Sequence, residues 1–158
     1  MSKDEFKNTI EYKQRIRDFR LMMALAIAIV AIFFTMGLIF FFCFLDLSKR
    51  IAFIVLICID SLGLFDAIGP IGYLIWIRKK LSSIYKNLND MYIFDYELSL
   101  PINHKFVISF EYEGEKHEIA SYCFRDSYDL KDKFVTVGYI EGLDVVLLLN
   151  EKKYDYSE

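Results

Sequence analysis

Histidine, cysteine and proline are scarce in this chain, and the scarcity closes off several chemistries before any motif is considered. Its 158 residues hold 2 His, 3 Cys and 2 Pro. A metal centre needs ligands that converge. His104 and His117, with acids scattered around them, form no ligand set, and both read as solvent-facing strand residues. The cysteines are Cys43, Cys58 and Cys123, with no Cys-x-x-Cys pair among them. That fits a reducing compartment and excludes a disulfide framework. Cys123 with His117 as nucleophile and base fails on distance, since six residues along a regular strand is roughly 20 Å. No Gly-x-Ser-x-Gly elbow surrounds Ser82, Ser83 or Ser121. Gly69-Pro70-Ile71-Gly72 is followed by no Gly-Lys-Ser/Thr, so it is no phosphate loop. No residue set supports an enzyme, and no cofactor is implied.

Charge is also missing, and its absence is the strongest positive signal. Residues 21–45 hold no charged side chain, and residues 51–77 hold only Asp60 and Asp66. A helix needs roughly 20 apolar residues to cross about 30 Å of hydrocarbon, and both runs exceed that. The link Asp46-Leu47-Ser48-Lys49-Arg50 is too short to cross back, so 21–80 is expected to be a transmembrane helical hairpin. A secretory signal would be shorter, with a small-residue cleavage site, whereas the first run ends Phe-Cys-Phe-Leu.

The net charge of −3 hides a segregation. Lys3, Lys7, Lys13, Arg15, Arg17 and Arg20 precede the first run, and Arg78, Lys79, Lys80 and Lys86 follow the second. Only Lys49 and Arg50 occupy the turn. Basic residues favour the cytoplasmic side, so both termini are expected there. These residues also suit anionic headgroups, which makes membrane lipid an expected partner in the sense of anchoring. From residue 91 onward 7 Lys/Arg face 14 Asp/Glu. Such an acidic region argues against nucleic acid, whose binding requires a basic surface.

Four regions follow. Residues 1–20 read as a cytoplasmic interfacial leader helix, with a Ser2-to-Glu5 capping box and an imperfect apolar stripe of Phe6, Ile10, Ile16 and Phe19. Residues 21–80 are the hairpin. Residues 88–150 alternate in short β-rich runs and read as a small acidic β domain. Its strands are expected at 92–98, 105–112, 117–124, 133–140 and 144–149. Turns are expected at Glu113-Gly114-Glu115 and Glu141-Gly142-Leu143, a break at Pro101 and a polar loop over 126–132. Five short strands suggest an antiparallel barrel or curled sheet. Residues 151–158 read as a frayed tail. The expected fold class is thus a membrane α-helical hairpin plus an all-β, five-stranded, barrel-like domain.

Phe110-Glu111-Tyr112-Glu113-Gly114-Glu115-Lys116-His117, followed later by Lys131-Asp132-Lys133-Phe134-Val135-Thr136-Val137-Gly138-Tyr139 and 145–149, resembles bacterial membrane proteins of unknown function. These join a two-helix transmembrane anchor to a small C-terminal β domain. The resemblance covers about the last 55 residues. The prolines common in that family's second turn are absent here. It implies a multi-pass protein of a bacterial cell membrane and transfers no activity.

Within the spans, Ala24, Ala28, Ala31 and Thr35 share one face, and Gly63 and Ala67 lie four apart. Small faces let helices approach closely. Folding about residue 48 sets Thr35 near Asp60 and Ser61, within reach of a hydroxyl bond. Pro70 leaves the carbonyl of Asp66 without its helical donor, so Gly69, Pro70 and Gly72 mark an expected kink. An ionised aspartate at mid-membrane costs about 2.5 kcal/mol or more. Three readings of Asp60 and Asp66 stand side by side. A protonated carboxyl bonds Thr35, Ser61 or a backbone carbonyl; the carboxyl meets another chain; or it relays an ion or proton. Tyr112, Tyr122, Tyr128 and Tyr139 read as core and rim packing, with an aromatic binding surface as the alternative. The expected function is a membrane-anchored interaction or regulatory module that presents its acidic domain to a membrane or cytoplasmic protein. The alternative is a homo-oligomeric transport or channel-like subunit built around the aspartates.

Overall fold

The computed structural model describes residues 1–45, 48–99, 102, 105–121 and 133–151. Asp46, Leu47, Pro101, His104, Tyr122, Cys123, Tyr128, the loop over 126–132 and residues 152–158 lie outside the described residues. The elements are α1 (Lys3–Lys7), α2 (Ile10–Phe44), α3 (Lys49–Asp66), α4 (Ile68–Lys86), β1 (Tyr92–Glu97), β2 (Val107–Tyr112), β3 (Glu115–Ala120), β4 (Phe134–Ile140) and β5 (Val145–Glu151). They divide into two compact units. Residues 1–16 join the chain from Lys80 onward, and residues 17–79 form the other.

The first unit is built on two antiparallel sheets, β1-β4-β5 and β2-β3. β1, β2, β4 and β5 overlie expected strands, whereas β3 starts at Glu115, which was expected in the turn, and β5 runs on to Glu151, which was expected in the frayed tail; residues 122–124 of the expected third strand lie outside the described residues. The strands do not close into a barrel. The reason lies in the pairing. Glu113 (φ 52°) and Gly114 (φ 82°) take positive φ, as a two-residue turn of the kind matched to strand twist requires. That turn commits β2 to β3, with Tyr112 opposite Glu115. β1 instead pairs with β4, Tyr92 opposite Tyr139. The two sheets therefore meet by their side chains. Leu98, Phe106, Ile108, Val135, Val137, Tyr139, Val146 and Leu148 make one buried cluster, and Ile10, Phe94, Phe110 and Ile119 pack against it. Phe106 and Ile108 are buried while Lys105, Ser109 and Glu111 are exposed, the two-residue period of a half-covered sheet. β4 and β5 are joined through a 3-10 turn at Glu141–Leu143 and Asp144 with φ 47°. β5 runs through Glu151, which bonds Lys133 at 2.9 Å.

The N-terminal residues belong to this unit. The capping box of α1 is formed, with Glu5 Oε2 accepting from the Ser2 N–H at 2.7 Å and Ser2 Oγ from the Glu5 N–H at 3.2 Å. Thr9 starts α2 by accepting the Tyr12 N–H at 3.3 Å. Phe6 is fully buried, in edge contact with Tyr12 and Tyr85 at ring separations of 5.7 and 5.6 Å. Two members of the leader's apolar stripe, Phe6 and Ile10, thus serve a protein core. α4 also continues past the second apolar run, and Leu81 and Ile84 in its last turns are buried.

In the second unit α2 folds back on α3. A Cβ on Gly37 would lie 2.7 Å from Asp60 Oδ1 and 2.9 Å from Leu56, and one on Gly63 would strike Phe33. Phe41 and Phe53 meet edge to face at 6.3 Å. The face of α2 that packs is not the small one. Ala24, Ala28, Ala31 and Thr35 are all exposed, whereas Gly37 and Ala26 are buried. An α-helix apolar on every side offers more than one packing stripe, so composition could not choose between them. α3 and α4 are separated by Ala67 alone, whose N–H bonds the Gly63 carbonyl at 3.1 Å. The interruption directly follows Asp66, the residue whose carbonyl Pro70 cannot serve. Gly69 and Gly72 lie within α4, with open space where a Cβ would stand.

Candidate functional site

One end of the first unit gathers aromatic rings beneath carboxylates. Tyr92 begins β1, Tyr112 ends β2 and Tyr139 is the penultimate residue of β4. Their rings stand 5.1 Å (Tyr92–Tyr112) and 5.3 Å (Tyr112–Tyr139) apart. Phe110 continues the cluster at 4.8 Å from both Tyr139 and Phe94. His117 stacks on Phe110 at 5.4 Å and an 18° interplanar angle. The expectation that His117 faces solvent is therefore corrected. The register puts it directly opposite Phe110, and cross-strand neighbours on one face lie in contact.

Glu113, Glu141 and Asp144 are exposed around this cluster. Burial first, then Glu113 and Glu141, push the Tyr112 phenol above its ordinary value. Burial, then Asp144 and Glu141, do the same for Tyr139. The phenols thus stay neutral beneath a negative rim. Aromatic faces attract cations within about 6 Å of the ring centre, and carboxylates accept charge-assisted bonds from Lys and Arg. Tyr139 is packed in the core, so the exposed Tyr92 and the half-buried Tyr112 are the rings that can offer a face to a basic side chain. Sequence reading took Tyr112 and Tyr139 as core and rim packing, with a binding surface as the alternative; Tyr139 is packed in the core, and Tyr92, which was not named, joins them through the β1–β4 pairing.

The intramembrane candidates part company. Asp60 Oδ1 is buried against Gly37 and has no hydrogen-bond partner among the described residues. The hydroxyls expected to serve it bond within their own helices, Thr35 to the Ala31 carbonyl at 2.8 Å and Ser61 to the Ile57 carbonyl at 2.6 Å. Asp60 also lines a cleft of about 180 Å³ with Val30, Phe34 and Leu64. Asp66 is exposed, while Gly63 and Ala67 are buried. Among the described residues no group of three His, Cys, Asp or Glu is placed to hold a metal ion.

A third feature escaped sequence reading. Glu11 and Arg15 are 0% and 3% exposed, and the guanidinium donates to Glu11 Oε1 from Nε at 2.6 Å. Burial pushes the Glu11 carboxyl up, opposed by the Arg15 charge and hydrogen bond and by the backbone N–H of Leu148. The only signal was a Glu-to-Arg spacing of four in the leader, which is also the pattern of a solvated helix face. No protein-family model, no curated protein and no solved structure matches this chain.

Proposed function

We propose that this protein is a membrane-anchored interaction module whose acidic, aromatic-floored surface docks a basic segment of a protein partner in the cytoplasm. The observation that carries the reading is the cluster of Tyr92, Tyr112 and Tyr139 under Glu113, Glu141 and Asp144. The anchor rests on α2 and the Lys49–Lys86 helix, each long and apolar enough to cross a membrane by length and composition. Only 6% and 17% of their most apolar windows are buried, whereas a core helix of a soluble protein is mostly covered. Ile27, Ile32, Phe34, Phe42 and Phe65 are more than half exposed, and a surface of that kind calls for lipid or protein cover. Residues 1–16 pack in one unit with the chain from Lys80 onward. That supports a reading in which the two ends of the hairpin share a side, and the basic flanks favour the cytoplasmic one.

The test is purification of the tagged full chain in mild detergent with every co-purifying protein identified. A stoichiometric basic partner is expected, released by salt because an exposed acidic face acts over a screened range and lost in Glu113→Gln/Glu141→Gln. Retention in that double variant, salt-independent capture, or a homo-oligomer alone overturns the reading.

A further inference from the structure

We infer that the cleft beside Asp60 seats the lysine of a transmembrane helix belonging to a different protein. The inference rests on the membrane placement proposed above and adds a second, lipid-embedded interface to it. Asp60 Oδ1 is buried and has no hydrogen-bond partner among the described residues, and the nearby Thr35 and Ser61 hydroxyls are committed to Ala31 and Ile57. Carboxyl groups in hydrocarbon pair with other groups or line a functional path.

The cleft says what the occupant is. Its volume of about 180 Å³ lies below the 300–1,000 Å³ typical of small-molecule pockets, so it has room for a side chain rather than a ligand. Val30, Phe34 and Leu64 line it with apolar groups and Asp60 supplies its only carboxyl. A lysine matches that lining, with an aliphatic stem to lie on the apolar wall and an ammonium to reach the acid.

The sequence says where the occupant comes from. Between Leu21 and Ile77 the only basic residues are Lys49 and Arg50. Both lie ten or more residues from Asp60, about 15 Å along a helix. A second copy brings the same set and no cation at the depth of Asp60, so a different chain must supply it. Asp66 is not among the lining residues of the cleft and is given no part.

The experiment places the labelled full-length chain in phosphatidylcholine vesicles with one of three leucine-rich transmembrane helices carrying a central Lys, Leu or Asp. Energy transfer reports association. The Lys helix is expected to associate about ten-fold more strongly than the Leu helix. The preference disappears in Asp60→Asn and in Val30→Trp, which fills the cleft and leaves the carboxyl in place, and it survives Asp66→Asn. Equal association of the Lys and Leu helices overturns the assignment, as does a preference that persists in Asp60→Asn or an Asp helix that matches the Lys helix. Resistance to alkaline carbonate extraction separates the two failures. A chain that washes off the vesicles refutes the membrane placement, and with it this site. A chain that stays inserted without preferring lysine refutes the site alone.

Discussion

The two units treat their large apolar side chains in opposite ways. Ile108 of the first is fully buried among Phe106, Val137 and Leu148, while Ile32 of the second is 57% exposed. One isoleucine is withdrawn from water by its own chain and the other is left for the proposed bilayer to cover. Polar groups divide in the same way. Glu11 is paired with Arg15 inside the first unit, whereas Asp60 Oδ1 meets no donor among the described residues of the second.

The contrast breaks most severely at Glu11. Glu11→Ala removes the carboxylate facing a buried guanidinium and is expected to cost about 3–5 kcal/mol. Glu11→Leu/Arg15→Met, which removes both charges, should restore most of that loss. Denaturant unfolding of the full chain in nanodiscs measures both. Next, Ile108→Ala is expected to cost about 2–5 kcal/mol, and Ile32→Ala, with no cavity to leave, less than about 0.5 kcal/mol. Equal costs would erase the distinction between the units. Gly114→Ala places a Cβ at φ 82° and should destabilise the β2–β3 hairpin by about 1 kcal/mol or more, read as faster amide exchange across that pair. The smallest effect concerns pH. Hydrogen bonds from the Ser2 backbone and then its hydroxyl hold the Glu5 carboxyl below its ordinary value. Its contribution to α1 is therefore present above that ordinary value and lost as pH falls through the lower, folded one. In Ser2→Ala the acid-induced fraying seen by NMR should shift toward the ordinary carboxylate range.

Legibility in the sequence followed the distance over which each decision is made. Period and turn residues act within a few positions, so the strands, the Glu113-Gly114 turn and the capping box of Ser2 and Glu5 could be read directly. The short turn brought α2 back along α3 close to the expected register, but Gly37 rather than the expected Thr35 lies against Asp60. The division into two sheets depends on β1 pairing with β4 across the intervening β2–β3 hairpin, which no local pattern encodes. The packing stripe of α2 was hidden because every side of that helix is apolar. Arg15 was read as a flank charge suited to anionic headgroups and Glu11 was given no role, because helix spacing says nothing of what covers a face; both are buried. Tyr92 was missed at the candidate surface for the same long-range reason as β1.

The N-terminal segment also sets a clock on biosynthesis. Phe6, Glu11 and Arg15 leave the ribosome well before β5, whose Leu148 amide meets Glu11. At about 5–20 residues per second the delay is on the order of ten seconds. Throughout it the segment has no strands to fold against. A chain in which one span failed to insert would strand the segment and the strands on opposite faces, leaving Phe6 and the Glu11–Arg15 pair uncovered. If the native hairpin is inserted as proposed, such a chain would be recognisable by an N-terminal segment that never docks.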